Sequence, residues 1–279
     1  MINSKKSIIT RYILLIIFSL IAIFPMIYML STSLKPNGAL YEFPPKFFPD
    51  KNELTLENYK YILNESKFMR NFFNSIYVSV IAVIISSIVS TGLAFVIGRF
   101  KNKFTKIIFS CLIVTMVIPG TTLIVPQFEM AVKFKIINSL SGLIPFYIAW
   151  VIPFSTFMIK GFMENIPNSI IDAAEIDGAS IFQVFYKIAV PLAVPAIASV
   201  SIFNFLSSWE EFPWANTVIN DTKLRTLPIA ITGFFGQHQF TQWGYVFALS
   251  VLSLIPVVVI FISFQKFFIS GLASGGVKG

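Results

Sequence analysis

Ile166-Pro-Asn-Ser-Ile-Ile-Asp172-Ala-Ala-Glu-Ile-Asp-Gly178-Ala-Ser-Ile-Phe-Gln-Val-Phe-Tyr-Lys-Ile188-Ala-Val-Pro191 is a polar interlude between two long apolar stretches. Ser169 with Asp172, and Ser180 with Gln183, each set a hydroxyl three residues before an acid or amide, the pattern in which two side chains satisfy the orphan amides of a helix start. The spacing predicts two short helices. Gly178 lies between them, where a helix exit favours positive φ, and Pro191 marks entry into the next apolar segment. Glu164, Asp172, Glu175 and Asp177 face only Lys187 nearby, and Ile181, Phe182, Phe185 and Ile188 recur at helical spacing. Two readings fit: an interfacial helical hairpin with a solvated acidic face, or an element that docks in a partner's groove and meets basic residues there.

The rest of the chain sets the loop's surroundings. Of its 279 residues 56% are hydrophobic and 12% charged, with a mean hydropathy of +0.78, whereas soluble domains carry about 25% charge. Six charge-poor runs are each long enough to cross a hydrocarbon core of ~30 Å, which takes about 20 helical residues. They run from Tyr12 to Leu34, Asn74 to Gly98, Ile107 to Phe128, Ser139 to Ile159, Ala189 to Trp209 and Gly244 to Phe264. The first follows Lys5, Lys6 and Arg11 but is longer than a signal-peptide core, so it reads as a retained span. Residues 1–11 and Arg99 to Lys106 together carry seven basic and no acidic side chains. Short flanking segments of that kind stay in the cytoplasm, which puts both termini and the 166–191 loop inside. The net charge of +8 is then a matter of topology and anionic headgroups, not of nucleic acid. Cys111, the single cysteine, has no disulfide or metal companion and reads as a packing residue.

Asp172-Ala173-Ala174, then Gly178, Ile188 and Val190-Pro191, resemble the EAA loop of ABC importer permeases, with Asp172 in place of the Glu and Val190 in place of the Leu. Gly161-Phe162-Met163 with Pro167, the segment Leu140 to Pro153, Trp209-Glu210-Glu211-Phe212, Thr226-Leu227-Pro228, Gln265-Lys266, Gly271-Leu272 and Gly275-Gly276-Val277-Lys278-Gly279 are similar to the carbohydrate-type branch. Glu210 stands where relatives carry Asn. The resemblance implies an all-α integral membrane protein with six transmembrane helices and a cytoplasmic two-helix coupling loop. Residues 1–11 would be a cytoplasmic N-terminus, 12–265 the permease domain with its coupling loop at about 160–190, and 266–279 a cytoplasmic tail. It implies a permease subunit of an ATP-driven, binding-protein-dependent importer in the cell membrane, forming half the pathway for a sugar or oligosaccharide. The implied partners are a second permease, a cytoplasmic ATPase dimer, an extracytoplasmic solute-binding protein and lipid. Asp172, Ala173, Ala174, Asp177, Gly178, Ile188 and Pro191 would couple to the ATPase. No cofactor is implied in this chain; ATP and Mg²⁺ would be used by the partner ATPase.

Other features are placed more loosely. Glu210 and Glu211 end the fifth run and either line the outer end of a pathway or reach interfacial water beside Trp209 and Trp214. Glu129 reads as interfacial. Pro119-Gly120 and Pro126 interrupt the third run and Pro145 and Pro153 the fourth, freeing carbonyls that neighbours or a cavity must satisfy. The proline-rich segment Lys35 to Arg70 is too short for a sizeable domain and should pack over the first span. Phe212 to Gln242, with Gly233, Gly236 and His238, resembles the family's contact with the binding protein, and the lone His238 reads as a surface hydrogen-bonding group. A phosphate-binding Gly-x-x-x-x-Gly-Lys-Ser/Thr loop, a Gly-x-Ser-x-Gly turn and metal-ligand clusters are absent from the sequence, so neither an enzyme nor a metal site is expected. An ion-gradient transporter is the alternative; it predicts paired carboxylates at mid-membrane, and none of the assigned spans has a charge near its centre.

Overall fold

A computed structural model of the chain describes residues 5–41, 43–44, 46–64, 67–235 and 241–276. Twelve α-helices and no strands occur among them: α1 (Lys5–Ser33), α2 (Glu57–Asn64), α3 (Phe68–Arg99), α4 (Lys103–Thr115), α5 (Ile124–Lys133), α6 (Leu140–Met163), α7 (Asn168–Ile176), α8 (Ile181–Val184), α9 (Val190–Trp209), α10 (Pro213–Val218), α11 (Leu227–Thr232) and α12 (Trp243–Gly276). Among the described residues five helical stretches are long and apolar enough to cross a membrane, and α4 with the segment Gly120–Lys133 supplies a sixth if that bent pair is one span.

That bent pair corrects the continuous helix expected from Ile107 to Phe128. α4 and the following segment meet at 96°. Pro119 sits at the corner with φ −60° and ψ 126°, since a proline has no N–H to continue the ladder and its ring collides with the carbonyl four residues back. Pro126 does not interrupt anything: it falls in the first turn of α5, where a missing N–H has no partner to lose. Pro145 and Pro153 do not break α6 either, which runs through both. Cys111 is exposed rather than packed. The inner face of α4 is taken by Thr105 and by Phe109, stacked on Phe157 at 6.4 Å, and a residue two positions on points away from it.

The chain divides into two compact units, Met1–Met69 with Ala230–Ile255, and Arg70–Ile229 with Pro256–Gly279. In the first, the 34–64 segment packs on the end of α1 as expected. Ser31 donates to the Phe47 carbonyl at 2.6 Å, and the Phe47 ring lies 5.1 Å from Phe24 and 5.3 Å from Tyr28. Buried Asn58 donates to the carbonyls of Ser33 and Lys35 at 2.8 and 2.7 Å, and Tyr61 stacks on Tyr245 at 4.3 Å.

The second unit holds two apolar cores. One gathers Val78, Leu143, Phe146, Tyr147, Trp214 and Ile219; the other gathers Phe95, Ile159, Met163, Ile171, Val184 and Ala193. Between them lies a polar seam: Ser155 donates to Asn204 at 3.1 Å, Asn204 donates to Ser86 at 3.2 Å, and Ser87 meets Ser201 at 3.0 Å. Hydroxyls and amides that bond across helices substitute for the hydrophobic drive that lipid does not supply, each worth about 0.6 kcal/mol. The seam fixes α3, α6 and α9 in register.

Candidate functional site

The 164–191 loop begins with α7, whose N-cap is Pro167. Ser169 is therefore already inside the first turn, and the expected Ser169–Asp172 capping box does not form. The second box does: the Gln183 amide donates to Ser180 Oγ at 3.4 Å and the Ser180 amide to Gln183 Oε1 at 2.7 Å. α7 closes as a Schellman turn, with the Gly178 amide on the Glu175 carbonyl, the Ala179 amide on the Ala174 carbonyl, and Gly178 at φ +82° in the left-handed region such turns require. The second short helix is not separate. α8 continues through a π-turn, Phe185–Ala189, into α9, and this widened turn lets Pro191 follow without breaking the helix. The loop is thus one short helix hinged at Gly178 to the foot of a span.

Burial sorts its side chains. Ile171, Val184 and Ala189 are buried with Ile159 and Met163, and Phe185 packs on Phe95 at 5.1 Å between ring centres. Ile188 is half-buried and Ala174 packs against the same core. Asp172, Ala173, Asp177 and Phe182 face outward. The outward apolar ridge consists of Ile176, 86% exposed, with Phe182 and Tyr186. Ile176 and Tyr186 were missed from sequence. Tyr186 stands four residues after Phe182, on the same helical face, and Ile176 precedes the Asp177-Gly178 turn that projects it.

The loop's charges are partly neutralised by its own chain, which corrects the expectation that Lys187 alone faces them. Arg99, at the end of α3, reaches Glu175 at 2.9 Å and Asp172 at 3.6 Å, and Lys160 reaches Glu164 at 2.9 Å. A cavity of about 250 Å³ lies at this junction, lined by Gly98, Arg99, Lys101, Glu164 and Asn168. Arg99 was read from sequence as a topology signal only. The partners lie 73 and 76 residues away from it (172 − 99 and 175 − 99), beyond any local pattern.

At the opposite end of α3, a second platform is built around α10. Glu211 accepts hydrogen bonds from the Trp214 and Ala215 amides at 2.7 and 3.0 Å and from the Tyr147 hydroxyl at 2.8 Å. It caps α10 and ties it to α6. Glu210, by contrast, is exposed at the end of α9, so the structure separates two residues that the sequence grouped. Asn138 fastens the far side of α10, accepting from the Asn220 and Asp221 amides at 3.0 and 2.8 Å. Glu129 is exposed on α5. Gly236, His238 and Val277-Lys278-Gly279 lie outside the described residues. From the loop end of α6 a groove of about 440 Å³ runs along α4, α6 and α9, with Phe109, Phe157 and Phe203 on its walls and Lys160, Glu164 and Ser199 as polar points.

Residues 90–273 match the family described as binding-protein-dependent transport system inner membrane component. The chain is 30% identical to the arabinooligosaccharides transport system permease protein AraQ of Halalkalibacterium halodurans, over 99% of each chain. It is 32% identical to the sulfoquinovosyl glycerol transport system permease protein SmoH of Agrobacterium fabrum, over 96% of this chain and 93% of that one. A chain of the crystal structure of a bacterial ABC transporter involved in the import of the acidic polysaccharide alginate superposes with a TM-score of 0.78 at 22% identity, covering 95% of this chain and 99% of that chain. That likeness is one of fold.

Proposed function

The chain belongs to the family of binding-protein-dependent transport system inner membrane components, and from that premise we propose that it imports a sugar or oligosaccharide, driven by an ATPase docked on its 164–191 loop. It is a permease subunit, an integral membrane transport component working with a solute-binding protein. The observation that carries the docking reading is the exposed ridge Ile176, Phe182 and Tyr186 beside exposed Asp172 and Asp177. Large apolar side chains standing out of a polar loop fit a partner's groove better than water. The sugar class is supported by the substrates for which the two relatives are named.

In this reading the loop lies in the cytoplasm, as do residues 1–11 and 266–279, because basic residues flank the spans on that side. A second permease completes the pathway, two ATPase subunits bind ATP and Mg²⁺ below it, and the solute-binding protein docks on the outer side. Gly178 hinges α7 on the foot of α9. Ala173 lets the ATPase surface come close, Asp172 and Asp177 offer it charge, Ala174 holds the loop to its core, and half-buried Ile188 and exposed Pro191 join it to the foot of α9. Docking drives transport only if the ATPase binds the loop differently in the inward- and outward-open states, since equal affinity shifts nothing. Vesicles holding the copurified complex and its binding protein test this. ATP-dependent uptake of a labelled oligosaccharide, absent with a non-hydrolysable analogue, is the expected result; uptake that follows an ion gradient without ATP would restore the alternative.

A further inference from the structure

We propose that α3 is a transmission rod, clamped by Arg99 to the docking loop and by Asn74 and Ser75 to the 223–227 segment, which carries loop movement to the α10 platform. The inference rests on the docking reading above. α3 has 32 residues and no proline, whereas α1, α6, α9 and α12 each contain one or more and the third span is broken at Pro119. Proline removes a ladder bond and kinks a helix, so α3 is the span best able to move as one body. Its length of roughly 48 Å exceeds the hydrocarbon thickness of ~30 Å.

Both ends are held, and differently. At the loop end the Arg99 guanidinium bridges Glu175 and Asp172, three residues apart on one face of α7, so a tilt of α7 acts on α3 through a two-point clamp. At the other end Asn74 donates to the backbone carbonyls of Lys223 and Arg225 at 3.0 and 2.9 Å, and Ser75 accepts from the Leu227 amide at 2.8 Å. Bonds to backbone fix the segment's position whatever its side chains do. Between the clamps, Ser79, Ala82, Ser86, Ser90 and Ala94 are buried along the rod, with small side chains that let neighbouring helices approach closely, and the Ser86 and Ser87 bonds make α6 and α9 move with it. Arg99 and Asn74 are positioning residues: neither is required to touch the ATPase or the solute.

The test uses the whole complex in lipid nanodiscs, in a Cys111→Ser background with Asn220→Cys on the exposed far platform. The rate of maleimide labelling is read without nucleotide and with Mg²⁺ and a non-hydrolysable ATP analogue. The rod predicts rates differing by about fivefold or more, the lower end for coupled sites. Arg99→Gln and Asn74→Ala should each collapse that difference, and the double variant should lose no more than either alone, because elements in series do not add. Arg99→Lys, which keeps a positive charge between Glu175 and Asp172, should retain much of it. A nucleotide response that survives in Arg99→Gln or Asn74→Ala, losses that multiply, or an Arg99→Lys variant no better than Arg99→Gln would overturn the rod and leave docking standing. A wild-type complex with bound ATPase and no nucleotide response would overturn the rod, and a chain that retains no ATPase would overturn the docking reading with it.

Discussion

Gly178 carries a conformational demand and no steric one. Its φ of +82° lies in the left-handed region, and no atom comes within 4 Å of where a Cβ would stand. Gly178→Ala should therefore cost the loop about 1–2 kcal/mol through backbone strain alone, Gly178→Val more, and Gly178→Asn less, because Asn tolerates that region. In the order Asn, Ala, Val, protease susceptibility of the loop should rise and uptake rate fall; a Val variant indistinguishable from wild type in both would contradict the hinge. Lys46 and Glu53 make a different residue-level prediction. Glu53 lies below its ordinary carboxylate value, chiefly through the hydrogen bond from Lys46, and Lys46 is raised by Asp50 and Glu53. Lys46 also accepts the buried Lys35 ammonium on its carbonyl. A depressed acid stabilises above its unfolded pKa and a raised base below its own, so the cluster is at full strength from about pH 4.5 to about pH 10.5 and is lost as pH falls through the lowered Glu53 value or rises through the raised Lys46 value. Hydrogen exchange across residues 46–56 should quicken as pH falls through the Glu53 value, after correction for intrinsic rates, and Lys46→Met should remove that step. An unchanged profile in the variant would refute the linkage.

Helices meet at the polar seam, and there the energetic stake is an unpaired group in an apolar interior. Asn204→Leu keeps bulk but removes the acceptor of the Ser155 hydroxyl, while Ser86 keeps its bond to the Val83 carbonyl, and should cost about 1–3 kcal/mol, read as a lower unfolding temperature of the detergent-solubilised protein. Asn204→Leu with Ser155→Ala should recover part of that loss; no recovery would show that the seam does not act as one network. Elements of this kind also show what a sequence reveals. Apolar runs give the number of spans, because lipid imposes their length, and Gly178 and the Ser180–Gln183 box were legible because turns and caps have local signatures. The break at Pro119 was visible as an interruption but its 96° angle was not, since an angle depends on what packs around it. Ser169 misled because Pro167 starts α7 early, and Pro145 and Pro153 misled because α6 holds its turns through both. The partners of Arg99 were hidden because they are distant in sequence, and those of Glu211 because they are two backbone amides and the distant Tyr147 hydroxyl.

The 70–229 unit places an exposed apolar ridge at one end of a proline-free helix and a tightly hydrogen-bonded platform at the other, with a groove opening beside the ridge end. The central claim is that the Ile176, Phe182 and Tyr186 ridge seats the ATPase, and it predicts an asymmetry between the lone chain and the complex. Ile176 and Phe182 are exposed, so Ile176→Asp with Phe182→Asp costs the isolated chain little, yet would bury two unpaired charges in a partner's groove, a penalty of several kcal/mol. The measurement is mass spectrometry of what copurifies with the tagged chain, gently extracted from native membranes, for wild type and this double variant. Wild type should retain both a second permease and an ATPase with a phosphate-binding loop, and the variant should retain the permease and lose the ATPase; a variant that keeps the ATPase at wild-type stoichiometry, or a wild-type chain that brings none, would contradict the account.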